Sequence, residues 1–305
     1  MKCLRSKTDN SVNWINPFKN SVIETRYVRR GEHYISAYLS SQNGCNMGCK
    51  FCWLTVTKQD SFKHVDIPAF SMQLGHVLDH AKEIDSDVKK RKKVRVNINM
   101  MSRGEPLANR YIVNRYREFY EALEDMVVDS GYKEMKMNIS TIMPHTMKQR
   151  ELTDVLCTSR NDNTNIYYSL YSIKEQFRKK WIPNALPYKK ALRKLKNYQD
   201  KSGKPIAIHF ALIEGENDNV EDVQDMCDIL REYNFERLKF NLVRFNPHPS
   251  MSQYKEPTQE KMDRIFDMLK KVAKDETIVT NKSRTVPRAG PDVFASCGMF
   301  INPHD

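Results

Sequence analysis

Three cysteines fall within eight residues, in the stretch Gly44-Cys45-Asn46-Met47-Gly48-Cys49-Lys50-Phe51-Cys52. Thiolates are the ligands that iron–sulfur clusters prefer. Three ligands for four irons leave one iron open, and an open position on a cofactor is where chemistry takes place. Gly44 and Gly48 allow the tight turns that aim three sulfurs at one centre. Structural zinc is the competing use of such thiols, but it wants four closed ligands, usually with CxxC spacing. His64 is the residue available as a fourth ligand. Two further places concentrate reactive groups. In Met101-Ser102-Arg103-Gly104-Glu105-Pro106-Leu107-Ala108-Asn109, Glu105 can accept from an ammonium group beside a glycine that permits close approach. Near the C-terminus Cys297 stands beside Gly298 in an otherwise charged tail, a poor setting for core packing.

These groups need a scaffold. The chain has 305 residues, with 50 Lys plus Arg against 38 Asp plus Glu, a net charge of +12. That balance favours contact with a polyanion and says little about fold. Seven cysteines are an odd number, and their clustering suits a reducing cytosol and a metal better than a disulfide framework. No apolar run approaches the roughly 18 residues of a membrane span, and the polar N-terminus lacks a signal-peptide core. A cytoplasmic chain without membrane contact is expected. Residues 1–21 read as an extended arm, and residues 22–305 as one domain. Strand patterns fall at 34–41, 94–100, 135–141, 165–171, 205–213 and 237–244. Helical spacing falls at 70–84, 111–128, 145–157, 186–198 and 220–233, followed by a last helix at 259–274 and a short strand near 277–280. Such alternation implies an α/β protein with a parallel sheet. With no GxGxxG after the first strand, a barrel is favoured over a dinucleotide-binding sheet. Barrel active sites sit at the C-terminal ends of the strands, which is where the cysteines and Glu105 fall.

The CxxxCxxC spacing, with Phe51 before the last cysteine, resembles that of radical-SAM enzymes. From about Val22 to Met299 the chain is similar to the RlmN/Cfr family of RNA adenine C-methyltransferases. The likeness begins at Ile23-Glu24-Thr25-Arg26-Tyr27-Val28 and continues through Leu39-Ser40-Ser41-Gln42-Asn43-Gly44-Cys45. It implies a partial (βα)6 TIM barrel with a short N-terminal extension. It also implies a [4Fe-4S] cluster on Cys45, Cys49 and Cys52, and S-adenosylmethionine (SAM) as cofactor. Gly104 and Glu105 correspond to the segment that holds the SAM amino group. Ser140 in Asn138-Ile139-Ser140-Thr141, and Ser169 and Leu170 in Tyr168-Ser169-Leu170-Tyr171, resemble positions that contact its carboxylate and ribose. Tyr171 stands where the family has His. Asn246 in Phe245-Asn246-Pro247-His248-Pro249 matches a SAM-contacting Asn. His209 and Cys227 match nothing in the pattern and read as core residues.

The C-terminal stretch Asp292-Val293-Phe294-Ala295-Ser296-Cys297-Gly298-Met299 resembles the family's terminal loop, whose cysteine is methylated and then donates the carbon. The implied reaction uses two SAM molecules, because an electron-poor adenine carbon resists polar methylation. One methylates Cys297. The other is cleaved to a 5′-deoxyadenosyl radical that takes hydrogen from the S-methyl group, and the methylene radical adds to carbon-2 or carbon-8 of the base. Glu24 corresponds to a proton acceptor.

Two departures stand out. Tyr38 occupies the position, seven before Cys45, where the family keeps the cysteine that resolves the covalent adduct. Cys3 on the N-terminal arm and Cys157 at a helix end are the candidate substitutes. The family also carries a helical accessory domain ahead of the barrel, for which the 44 residues before Cys45 leave no room. Docking of rRNA or tRNA is then expected from basic runs on the barrel. These are Lys89-Lys90-Arg91-Lys92-Lys93, and Arg178-Lys179-Lys180 through Lys189, Lys190, Arg193, Lys194 and Lys196. An electron donor such as flavodoxin or ferredoxin is implied, and a monomer is expected. Two alternatives remain open: the same chemistry on a nucleotide, DNA or peptide, and a non-catalytic RNA-binding protein with a vestigial cluster.

Overall fold

A computed structural model of the chain describes residues 1–156, 163–272 and 283–303. The order begins with strands β1 (Lys2–Arg5), β2 (Val12–Phe18), β3 (Ser21–Gly31) and β4 (Tyr34–Tyr38). The cysteine stretch follows β4 and leads into a one-turn helix α1 (Trp53–Val56), then α2 (Ile67–Ile84) and α3 (Val88–Arg91). Next come β5 (Arg95–Met100), α4 (Arg110–Asn114), α5 (Tyr116–Asp129), β6 (Glu134–Thr141), α6 (Leu152–Leu156) and β7 (Thr164–Tyr168). The chain continues with α7 (Glu175–Trp181), α8 (Tyr188–Ser202), β8 (Ile206–Ala211), α9 (Val220–Glu232), β9 (Leu238–Val243), α10 (Gln259–Lys270) and β10 (Arg284–Val286).

All ten strands form one sheet in sequence order, antiparallel from β1 to β4 and parallel from β4 to β10. The six expected strands are β4 to β9, and the fold is a partial α/β barrel. Strand periodicity explains it. Alternate residues such as Ile35, Ile98, Met137, Ile166, Ile208 and Phe240 are wholly buried in the apolar core. The residues between them are polar: Asn99, Asn138, Asn165, His209 and Asn241 face the barrel lumen. Branched apolar side chains usually fill such a lumen; here it is a polar chamber.

Three expectations change, the first being that the helix expected at 145–157 is a three-residue turn at His145–Met147 followed by the short α6. Residues 1–21 are not an arm but the β1–β2 hairpin, paired to β3. Its turn also grips the C-terminal region: Ser6 Oγ donates to Asp292 Oδ1 at 2.7 Å, and Gly290 N donates to Asp9 Oδ2 at 2.8 Å. The single helix expected at 111–128 is broken at Arg115, where φ is −137°. Cys157 and the strand near 277–280 lie outside the described residues. No helix among them is long and apolar enough to cross a membrane.

Candidate active site

A cavity of about 1230 Å³, mouth included, opens at the C-terminal ends of the strands. Cys45, Cys49 and Cys52 all line it. Their loop is held by backbone bonds: Cys45 N donates to Gln59 O at 2.9 Å, Lys50 N to Trp181 O at 2.9 Å, and Cys52 N to Cys49 O at 2.9 Å. Gly48, at φ +67°, supplies the left-handed turn between the first two cysteines. Burial pushes the thiols up, Cys45 to about 12 and Cys52 to about 11, with Cys49 well above its ordinary value. Charge on the neighbouring thiols adds to the effect for Cys45 and Cys49. As a donor set this fits an iron–sulfur cluster, whose positive irons would stabilise three crowded thiolates that the bare protein keeps protonated. Among the described residues no three Cys, His, Asp or Glu side chains close on one point as a single ion requires. The three cysteines instead border one cavity.

The turn after β5 forms the adjoining wall. Gly104 takes φ +94°, and a Cβ there would lie 2.6 Å from Ser41 Oγ and 2.8 Å from Gln42 N. The close approach it permits is therefore to the lead-in of the cysteine loop. Glu105 is buried on the cavity wall, its Oε1 accepting from Leu107 N at 3.0 Å and Oε2 from Ile142 N at 3.1 Å. Desolvation nevertheless raises its pKa to about 7, against the lowering effect of those bonds.

Ser140, Ser169, Tyr171 and Asn246 also border the cavity, whereas Leu170 is fully buried beside it. Tyr171 adopts φ +58° and stacks on Phe51 at 4.5 Å, which explains the aromatic before the last cysteine. Asn246 Nδ2 donates to Cys297 O at 3.0 Å. Cys297 is exposed at the cavity wall, and desolvation raises its thiol pKa. Trp53 N donates to Gly298 O at 2.9 Å, fixing the Cys297 turn against α1. Glu24 is absent from the cavity wall: its carboxylate is wholly buried and paired with Arg26 at 3.2 Å and Arg103 at 2.9 Å.

Tyr38 lines the cavity, and its hydroxyl accepts from Arg30 Nη1 at 3.3 Å. Cys3, on the outer strand β1, is three strands away from β4. Arg26, Arg30, Arg244 and Arg288 reach the cavity wall, as does His209, whose pKa burial lowers to about 4 with help from Lys239. Strand periodicity could have placed His209 in the lumen; nothing local marked the arginines. The run at 89–93 precedes β5 and so lies at the barrel end opposite the cavity. In the second run Arg178 is buried, bonded to Leu170 O, Ser172 O and Leu186 O. Lys194 pairs with Glu151, while Lys189, Lys190 and Arg193 are exposed.

Comparison with known proteins accords with this geometry. The Radical SAM superfamily pattern matches residues 39–228, more than half of the chain. The chain is 25% identical, over 98% of its own length and 79% of the relative's, to a probable dual-specificity RNA methyltransferase RlmN of Clostridium botulinum. It shares its fold with a radical SAM methyltransferase from Sphaerobacter thermophilus, with a TM-score of 0.75 at 18% identity, covering 98% of this chain and 80% of that one. Streptococcus suis SuiB is a more distant fold neighbour, with a TM-score of 0.50 at 14% identity, covering 85% and 49%. The superfamily implies a [4Fe-4S] cluster and SAM, which the three thiols and the adjoining wall suit. The chain belongs to the Radical SAM superfamily.

Proposed function

We propose that the chain methylates a ring carbon of an RNA adenine, carbon-2 or carbon-8 in rRNA or tRNA, with Cys297 as carrier of the carbon. The observation that carries this is the opening of Cys297 onto the same cavity as Cys45, Cys49, Cys52 and Glu105. The name of the Clostridium botulinum relative supports RNA as substrate, as does the net charge of +12. Arg30 on the cavity wall suits a phosphate beside the target base, whereas Arg244 and Arg288 are already paired with Glu256. The cluster, when bound on the three cysteines, supplies an electron for SAM cleavage, drawn from a donor such as flavodoxin or ferredoxin. Gly104 and Glu105 would hold the SAM amino group, with Ser140, Ser169, Leu170, Tyr171 and Asn246 around the rest of the molecule. We further take the chain to act as a cytoplasmic monomer.

Glu105 gives this assignment a pH signature. Below about 7 its carboxyl is increasingly neutral and cannot pair with an ammonium. SAM affinity is therefore expected to rise with pH through about 7, by up to roughly tenfold per unit on the acid side. The same raised pKa means the folded chain holds a proton that the unfolded chain releases. This group's contribution to stability therefore falls as pH rises from the ordinary carboxylate range through about 7. Calorimetric titration of SAM into reconstituted enzyme reads the effect, and Glu105→Gln should weaken binding and flatten its profile. A flat profile in the unsubstituted enzyme would remove Glu105 from the ammonium site.

Nucleoside mass spectrometry of host RNA, with and without the enzyme, tests the substrate. Accumulation of 2-methyladenosine or 8-methyladenosine is expected. Tyr38 favours one second reading. Among the described residues the cavity wall carries no thiol beyond the three of the loop and Cys297, so an adduct on Cys297 meets a tyrosine where a resolving cysteine is expected. The same chemistry would then serve a smaller or different acceptor: a nucleotide, DNA or a peptide. Unmodified RNA alongside intact SAM cleavage would select that reading.

A further inference from the structure

We propose that Glu24, Arg26 and Arg103 form a buried latch that positions the Cys297 loop and ties it to the turn carrying Glu105. This rests on the reading of Cys297 as carrier. Glu24 and Arg26 alternate along β3 on the face that also carries Tyr38, since Arg26 pairs with Tyr38 in register. Glu24 Oε1 accepts from Arg103 Nη1 at 2.9 Å and from Ile301 N at 3.0 Å. Its Oε2 accepts from Asn13 Nδ2 at 2.9 Å and from Arg26 Nη2 at 3.2 Å. Both oxygens are thus engaged twice, and all three charged side chains are at most 2% exposed. A general base must reach the proton it takes. Glu24 does not line the cavity, and its oxygens are taken up by two guanidiniums, the Asn13 amide and a backbone amide, which is the setting of a positioning residue.

What the latch grips is the tail on both sides of Cys297. Arg26 donates to Met299 O at 2.6 Å and to Ser296 O at 3.4 Å, and Arg103 to Ile301 O at 3.1 Å. Asn13 reaches Val293 O at 3.0 Å. The Phe300 ring lies 4.8 Å from the Arg26 guanidinium carbon and 6.0 Å from that of Arg103. Arg103 also donates to Asn43 O at 3.1 Å, two residues before Cys45, and stands two residues before Glu105. One guanidinium therefore joins the cysteine loop, the proposed SAM seat and the carrier tail. A shift of the tail moves the Cys297 sulfur relative to both.

Hydrogen exchange of the folded, unloaded chain tests the latch without relying on activity. Glu24→Gln keeps the shape but removes the charge that holds both arginines. In this variant, and in Arg26→Met, exchange across residues 294–303 is expected to rise roughly tenfold or more while β5 to β7 stay protected. In reconstituted enzyme, kcat should fall about 100-fold with KM for SAM changed less than about threefold, as expected for a misplaced reacting atom. Arg26→Lys, which keeps the charge, should recover part of the loss. Arg26→Met carries the same exchange readout should Glu24→Gln fail to fold. Unchanged tail exchange in the variants, or a uniform rise across the chain, overturns the proposal. Peptide mass of Cys297 in the unsubstituted enzyme separates the two ideas. A loosened tail with Cys297 never methylated refutes the carrier reading and leaves the latch standing. A methylated Cys297 with an unmoved tail refutes the latch alone.

Discussion

Cys297→Ala is expected to abolish carbon transfer, and with it the 5′-deoxyadenosine whose hydrogen comes from the S-methyl group, while iron content and SAM affinity stay within about threefold of the unsubstituted enzyme. The substitution removes a sulfur that faces the cavity and little else. The contacts that hold the loop run through its backbone, from Asn246 Nδ2 to Cys297 O and from Trp53 N to Gly298 O, and alanine retains both. The Arg26 and Arg103 bonds to residues 296, 299 and 301 are also indifferent to the side chain at 297. Fold, cluster and SAM binding should therefore survive, and loss of product isolates the carrier step. Two measurements check it: mass of the Cys297 peptide after incubation with SAM, expected to show one added methyl group, and product formation by the variant. Full product formation by Cys297→Ala would end the methylcysteine mechanism for this chain.

The sequence displayed the parts of this protein that repeat along the chain or lie close together in it. The strands β4 to β9 were visible because alternate residues such as Val96, Ile98 and Met100 are apolar and wholly or almost wholly buried. The cysteine loop was visible because its three cysteines are neighbours. The β2 strand was not, since Val12-Asn13-Trp14-Ile15-Asn16-Pro17 buries two asparagines and includes a proline, so it reads as a polar, turn-rich arm. Asn13 has a reason to be polar only once Glu24 and Val293 are beside it. The latch was likewise hidden, because the Arg103–Glu24 bond spans 79 residues and the Ile301–Glu24 bond 277. A linear pattern records the type of Glu24 and nothing of what neutralises it. Charge runs showed the opposite failing. Lys89 to Lys93 are obvious in the sequence, yet the direction of β5 places them at the end of the barrel away from the chemistry.

Cys49→Ala should strip the protein of iron and reduce SAM cleavage at least roughly a thousandfold, without unfolding it. Cys49 is 9% exposed, with its sulfur on the cavity wall, so alanine empties space that already adjoins a void. Its thiol, pushed well above the ordinary range by burial and then by Cys45 and Cys52, does little for the unloaded fold. On the proposed assignment it would be one of three protein ligands of the cluster, and two thiolates hold a four-iron cluster poorly. Cys227→Ala is the matching control with the reverse outcome. Cys227 is wholly buried on α9 in the apolar core, and its removal should cost about 1 kcal/mol of stability while iron content and cleavage stay unchanged. Iron and sulfide analysis after anaerobic reconstitution, paired with thermal unfolding of the unloaded chains, reads both variants. Retention of iron and of SAM cleavage by Cys49→Ala would sink the cluster assignment. A lowered melting temperature in Cys227→Ala alone would show that the two cysteines, both buried, serve different ends: one packs the barrel, the other faces its chemistry.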